Sequence, residues 1–466
     1  MKTPIKSALL AAIAALLVLN VIALGTINKD GPKYPAHWDK QVAPLAAFVE
    51  DTRHLRFDHP VKISYLSPAA YRKRILGDGT DAMTSADKAD LKRFTGQMRA
   101  VGLIDKKTDL LKEVEQLQTN GTDAFYDPET EDIVVFGTKI DVATRVTLVH
   151  EMTHALQDQH FDLSRTFSSD GADSMYQALG EGDASRMETA YVDTLSAADS
   201  DAYDASLNES TNDEHGSVDV APVLEQIFGA PYVLGEPMTT LYEQIKGTKG
   251  LNALFKKPVP SDEGLLNIFS LLDGDQPKKV SAPKVADGEK LTDHATSFGT
   301  LSWFLMLSAH IDERVALRAV DGWGGDSSIG YTAGGRDCLR AAFVGDTPTD
   351  VTEMRAALDQ WKTSFTAERV NVTGGPDRVE FAACEPDVIP APKAGSENAL
   401  IVPVSRLQFL QGAFAAGAPR PTVECLGREF LNVVTIDALL AADEDAKLFT
   451  QQARVMAQNC ARQKPA

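Results

Sequence analysis

Cysteine is scarce in this chain and absent before residue 338; the four present are Cys338, Cys384, Cys425 and Cys460. None belongs to a CxxC pair, which argues against a zinc site built from cysteine. An even number confined to the last third is the pattern of two disulfides in an oxidising compartment. Three pairings are open, and Cys338–Cys384 with Cys425–Cys460 is expected because it closes successive local loops. Positive charge is also in deficit. Lys and Arg number 46 against 66 Asp and Glu, a formal charge of −20, which argues against nucleic acid and anionic lipid surfaces as partners. No Lys or Arg falls between Arg186 and Lys246. Inside that gap, the acidic, Ser- and Asn-rich stretch 196–218 has few large apolar residues and is expected to be a flexible loop. No internal repeat is visible.

Long hydrophobic runs are missing except at the N-terminus, where Lys2 and Lys6 precede an apolar stretch over 8–27 broken only by Asn20, Gly25 and Thr26. Its length exceeds a secretory core of about 7–15 residues and reaches the roughly 20 of a spanning helix. A signal-anchor over 1–27 is therefore expected, giving a single-pass membrane protein with its ectodomain outside the cytoplasm, or a secreted one if cleavage occurs near Ala23-Leu24-Gly25. No Cys follows the run, so a lipoprotein is excluded. With 43% hydrophobic residues the remainder can bury a large core. Its expected layout is a tether over 28–60, a catalytic region over 61–385, a Pro-rich linker over 386–404 and a small helical domain over 405–466. Strand patterns at 61–66 and 131–136 alternate with helical ones at 67–76, 85–101, 109–118 and 221–247, an α+β order.

The most informative stretch is Val149-His150-Glu151-Met152-Thr153-His154. Residues four apart on an α-helix lie about 40° apart around the axis and about 6 Å along it, so both imidazoles reach one metal ion. Glu151 sits where it reaches a metal-bound water without ligating the ion. Asp141 is placed to cap this helix, and no Pro or Gly interrupts 141–162. Strand followed by HExxH helix is the order of a zincin core, in which Zn2+ has three protein ligands and an open position for water.

Two residues compete to be the third ligand. Glu181 lies on a later helical stretch flanked by Gly180, Gly182, Ala184 and Ser185, small enough to let that helix approach the first closely. His160 completes the spacing HExxHxxxxxH, but position 157 is Gln where a Gly would let the chain turn away. On a continuous helix His160 lies about 240° from His154. Glu181 is the favoured ligand, and His160 the alternative.

The motif from His150 to Phe161, followed by Glu181-Gly182-Asp183-Ala184, resembles a family of largely uncharacterised bacterial extracytoplasmic zinc metallopeptidases of gluzincin type. Segments 126–130, 231–235 and 322–326 are similar to ones that recur in that family in the same order, and the likeness covers roughly residues 60–345. It implies zinc ligation by His150, His154 and Glu181, with Glu151 as catalytic base and a peptide or protein as substrate. The chain departs after Pro260, where Asn267-Ile268-Phe269 replaces an expected His-Pro pair. An oxyanion partner is expected from Tyr232, His215 or His294. The reading is thus a membrane-anchored or secreted zinc metallopeptidase of mainly helical, zincin-like α+β fold with a disulfide-containing C-terminal domain. The alternative is a non-catalytic cell-surface module that binds a protein partner on the same scaffold.

Overall fold

The computed structural model describes residues 34–76, 85–120, 123–167, 170–212, 220–292, 294–440 and 446–462. The architecture is α+β and mainly helical. Helix α1 (Ala43–Arg53) leads to β1 (Lys62–Leu66), α2 (Pro68–Leu76), α3 (Ser85–Ala100) and α4 (Leu110–Asn120). Strands β2 (Ala124–Asp127) and β3 (Asp132–Phe136) follow, then α5 (Val142–Phe161), α6 (Asp170–Val192), α7 (Ala197–Asn212) and the long α8 (Pro222–Lys256). Strands β1 and β2 flank β3, which pairs parallel with β1 and antiparallel with β2. After a short helix α9 (Ile268–Asp273), the chain forms β4 (Lys290–Leu291), α10 (Thr300–Ser308), α11 (Glu313–Val320), β5 (Trp323–Ala333), β6 (Arg336–Gly345), α12 (Pro348–Trp361), β7 (Val370–Gly374) and β8 (Val379–Cys384). These five strands make an antiparallel sheet in the order β4-β5-β6-β8-β7. Four helices close the chain: α13 (Ile401–Ala415), α14 (Arg420–Val433), α15 (Ile436–Leu440) and α16 (Ala446–Arg462).

Helix α5 forms where the sequence places it. The Asp141 carboxylate accepts the Thr144 N–H at 2.9 Å, satisfying one of the donors left over at a helix start. It ends at Asp162, which adopts left-handed φ of 58°, and there the Asp158 carboxylate accepts the Leu163 N–H at 2.7 Å. Val149, Met152, Ala155 and Leu156 are buried with Val42, just ahead of α1, Leu45 and Val49 of α1, and Ile133 and Val135 of β3. The helix is therefore enclosed, and its polar residues must find partners inside the protein.

Several boundaries differ from expectation. The segment 28–60 is no tether over its described part, because α1 packs into the core beneath α5 and ends in the fully buried Arg53. The acidic stretch 196–218 is not a loop over its described part. Ser196 Oγ accepts the Asp199 N–H at 3.2 Å to start α7, and Asp199 pairs with Arg145 at 2.9 Å. Residues 213–219 lie outside the described residues. The expected linker 386–404 already contains the start of α13, and Lys393 docks it by a hydrogen bond from its N–H to the Ala309 carbonyl at 2.7 Å and an ion pair with Glu313. The C-terminal helices are not a separate domain either, since Leu407, Phe430 and Met456 share one hydrophobic cluster with Leu224, Trp303 and Phe381. The expectation of a single-pass membrane protein is also corrected. Among the described residues no helix is long and apolar enough to cross a membrane, and the stretch 1–27 lies outside them.

Both disulfides pair as expected, Cys338–Cys384 across β6 and β8 and Cys425–Cys460 between α14 and α16. The second closes a separation of 35 residues, for which restriction of the unfolded chain gives about 3–4 kcal/mol. Replacing Cys425 and Cys460 by Ser is therefore expected to lower the unfolding free energy by roughly that amount without changing metal content. Denaturant unfolding of the double variant checks it, and an unchanged midpoint would show that α16 is held by packing alone.

Candidate metal centre

Three helices meet at one point. Helix α5 presents His150 and His154 one turn apart, with ring centroids 4.7 Å apart. Helix α6 crosses it and presents Glu181, whose Oε2 lies 3.2 Å from Nε2 of His150 and 3.2 Å from Nε2 of His154. The ligand atoms of these three residues all lie within 4.8 Å of one another, and the cluster is able to hold a metal ion. For an ion held tetrahedrally by N and O at about 2.0–2.1 Å, ligand atoms sit about 3.3–3.4 Å apart. Both His–Glu separations match that edge, so the donor set fits such an ion.

The close approach of α6 depends on glycine. A Cβ added to Gly182 would lie 2.2 Å from the backbone carbon and oxygen of Gly235 on α8, and one added to Gly235 would lie 2.4 Å from the Ala178 carbonyl oxygen. The two helices cross with their backbones in contact, which presses Glu181 toward α5. From the sequence, the small residues around Glu181 are expected to face α5; Gly182 instead faces α8, and its close approach is to Gly235 there.

Each imidazole is held at its other nitrogen. His150 Nδ1 lies 3.2 Å from Oε2 of Glu188, two turns beyond Glu181 on α6. His154 Nδ1 lies 3.0 Å from Oε1 of Gln157. The Gln157 amide in turn donates to the Gly180 carbonyl at 3.0 Å and to Asp183 Oδ2 at 3.1 Å. Asp183, fully buried, pairs with Arg53 Nε at 2.6 Å and with Arg186 at 2.7 Å. Partners of this kind fix the tautomer and orientation of ligating histidines. Glu188 was legible as a carboxylate seven residues past Glu181 on the same helix face. Arg53 carries no local signal.

Without a metal, burial opposes a charge on His150, but hydrogen bonds to Glu181 and Glu188 outweigh it and raise its pKa well above the usual imidazole range. Burial likewise works against the His154 cation, and the Glu181 charge and hydrogen bond overcome it. Burial would raise the Glu181 carboxyl, yet the neighbouring His154 and the bonds from both rings bring it down to about 2. Protons and a cation therefore compete for this cluster. Glu151 is raised, chiefly by burial. It stands outside the three-residue cluster, and its Oε2 accepts the Tyr126 N–H of β2 at 2.7 Å.

The other candidate residues fall apart from the cluster or beside it. His160 remains on the unbroken α5, and its Nε2 bonds the Arg56 carbonyl at 2.8 Å, a helix-end histidine rather than a member of the cluster. The Tyr232 ring stacks on that of His150, with centroids 6.3 Å apart and planes 17° apart. His294 is exposed, and His215 lies outside the described residues. The departure at Asn267 has a structural role: its side chain accepts the Phe269 N–H at 3.1 Å to start α9 and donates to the Asp321 carbonyl at 2.8 Å. Compared with known proteins, the chain matches no family model, no curated protein and no solved structure.

Proposed function

We propose that the chain is a zinc-dependent metallopeptidase that acts in an oxidising compartment on a peptide or protein substrate, with a zincin-like core formed by β1–β3, α5 and α6. The observation that carries this reading is the convergence of His150, His154 and Glu181 on one point, with Glu151 on the same helix and outside the ligand set. Bound zinc would lower the pKa of a water towards neutrality and polarise the scissile carbonyl. His150, His154 and Glu181 would hold the ion, as two neutral donors and one anion. The Tyr126 N–H anchors one oxygen of Glu151, and the other takes a proton from the attacking water and returns it to the leaving amine. Of the two oxyanion candidates among the described residues, Tyr232 is the one whose ring lies beside a ligand.

The ligand side chains are only 2–7% exposed, and this burial favours a second reading, a non-catalytic module whose buried metal stabilises a protein-binding scaffold. Metal analysis and a peptide-library digest separate the two. One zinc per chain is expected in the wild type and in His160→Ala, and none in Glu181→Ala. The zinc-loaded wild type is expected to cleave peptides. Metal loss in His160→Ala with retention in Glu181→Ala would replace the ligand set, and a zinc-loaded protein that cleaves nothing in a broad library would leave the binding-module reading.

A further inference from the structure

We propose that Gln157 and Arg53 are positioning residues for His154, acting through a buried chain from Arg53 to Asp183 to Gln157 that fixes the orientation of the His154 ring and keeps its Nδ1 an N–H donor. The proposal rests on the metal-centre reading above, though not on catalysis. The side-chain amide of Gln157 has two ends with opposite roles, an acceptor oxygen and a donor NH2. Two pure acceptors, the Gly180 carbonyl and the Asp183 carboxylate, face one end at 3.0 and 3.1 Å. Only the NH2 satisfies both. The oxygen is thereby turned to His154 Nδ1 at 3.0 Å, where it can only accept. Nδ1 must then carry a proton, which makes Nε2, on the side shared with Glu181, the nitrogen that would give up its proton to a metal ion.

The direction of the amide depends on Asp183 staying a carboxylate in a fully buried position. Asp183 is 0% exposed, and Arg53 and Arg186 flank it. Arg53 is 1% exposed and also donates to Asn252 Oδ1 at 2.7 Å, so its guanidinium is oriented from α8 as well. It comes from α1, 130 residues before Asp183. Helix α1 is thus a structural part of the metal centre, and the two histidines are held differently: His150 by the anion Glu188, His154 by a neutral amide of fixed polarity.

The test uses the full chain labelled with 15N-histidine and stripped of metal, its His154 signals identified by their loss in His154→Ala. Long-range 1H–15N spectra of the wild type are expected to show a proton on Nδ1 of His154, whether or not Nε2, which faces Glu181, carries one too. Gln157→Met keeps the volume but offers neither acceptor nor donor, so the Nδ1 proton is expected to lose its partner and exchange faster, and the zinc dissociation constant to rise about 10–100-fold in chelator competition. Arg53→Met is expected to weaken zinc in the same direction and Arg53→Lys to recover part of the loss. A wild-type His154 with no proton on Nδ1, or zinc binding by Gln157→Met within twofold of wild type, overturns the proposal. The wild-type spectrum decides even if a variant fails to fold, and a wild type that shows the Nδ1 proton but binds no zinc sinks the metal reading alone.

Discussion

Glu151→Gln is expected to lower peptide cleavage by roughly 10²–10⁴-fold, the range general acid–base groups supply, while zinc content stays near one per chain. Gln has the shape of Glu, and its side-chain oxygen can still accept the Tyr126 N–H that the carboxylate accepts at 2.7 Å. The local packing therefore has no reason to change. What is lost is the ability to take a proton from water. The ligands are untouched, because His150, His154 and Glu181 form the cluster without Glu151. Steady-state cleavage of a peptide found in the library digest, measured beside metal content, gives the result. Full activity in the variant would remove Glu151 from the mechanism, whereas loss of zinc together with activity would assign it to the ligand set instead.

How much of this site was legible in the sequence follows from which interactions are local. The α5 helix, its Asp141 cap and the shared face of His150 and His154 depend on residues within a turn or two, and all are present. Glu181 was legible for a related reason: a run of small residues around a carboxylate marks a close helix crossing, although nothing named Gly235 as the partner surface. Both disulfides close short local loops and pair accordingly.

The misread segments share a different cause. Composition placed α1 in a tether and α7 in a loop, yet α1 is held by apolar packing under α5 and by the Arg53–Asp183 ion pair across 130 residues, and α7 by Asp199–Arg145 and the half-buried Tyr203. The Pro-rich stretch after Pro386 looked like a linker because proline breaks helices, but Lys393 and the buried run 399–404 dock it onto the main core. Gln157 looked like an ordinary helix former because its function, the polarity of its amide, appears only once Gly180 and Asp183 are folded against it. Contacts between distant residues decide these positions, and a pattern of residue types along the chain does not encode them.

The same long-range crossing makes Gly182 the position at which the smallest substitution should have the largest structural effect. Gly182→Ala gains about 1 kcal/mol of helix propensity, and on an open face it would stabilise the protein. Here the new methyl meets the Gly235 carbon and oxygen at 2.2 Å, against 3.4 Å for the start of ordinary contact, so α6 and α8 must part by about 3.4 − 2.2 = 1.2 Å. Those are backbone atoms that cannot rotate aside. Overpacking of this kind costs about 1–3 kcal/mol or more, which cancels or exceeds the propensity gain. Glu181 adjoins the methyl, and metal–ligand distances in well-formed sites stay within about 0.2 Å of their standard values. A net loss of stability is therefore expected together with a rise in the zinc dissociation constant of about tenfold or more. Gly229→Ala on α8 is the control, because its added Cβ meets nothing within 4 Å, and it should leave zinc binding unchanged while raising stability by up to about 1 kcal/mol. Thermal unfolding of both metal-free variants, paired with chelator competition, makes the comparison. If Gly182→Ala unfolds and binds zinc like the wild type, the crossing with α8 is not what seats Glu181 between the two histidines.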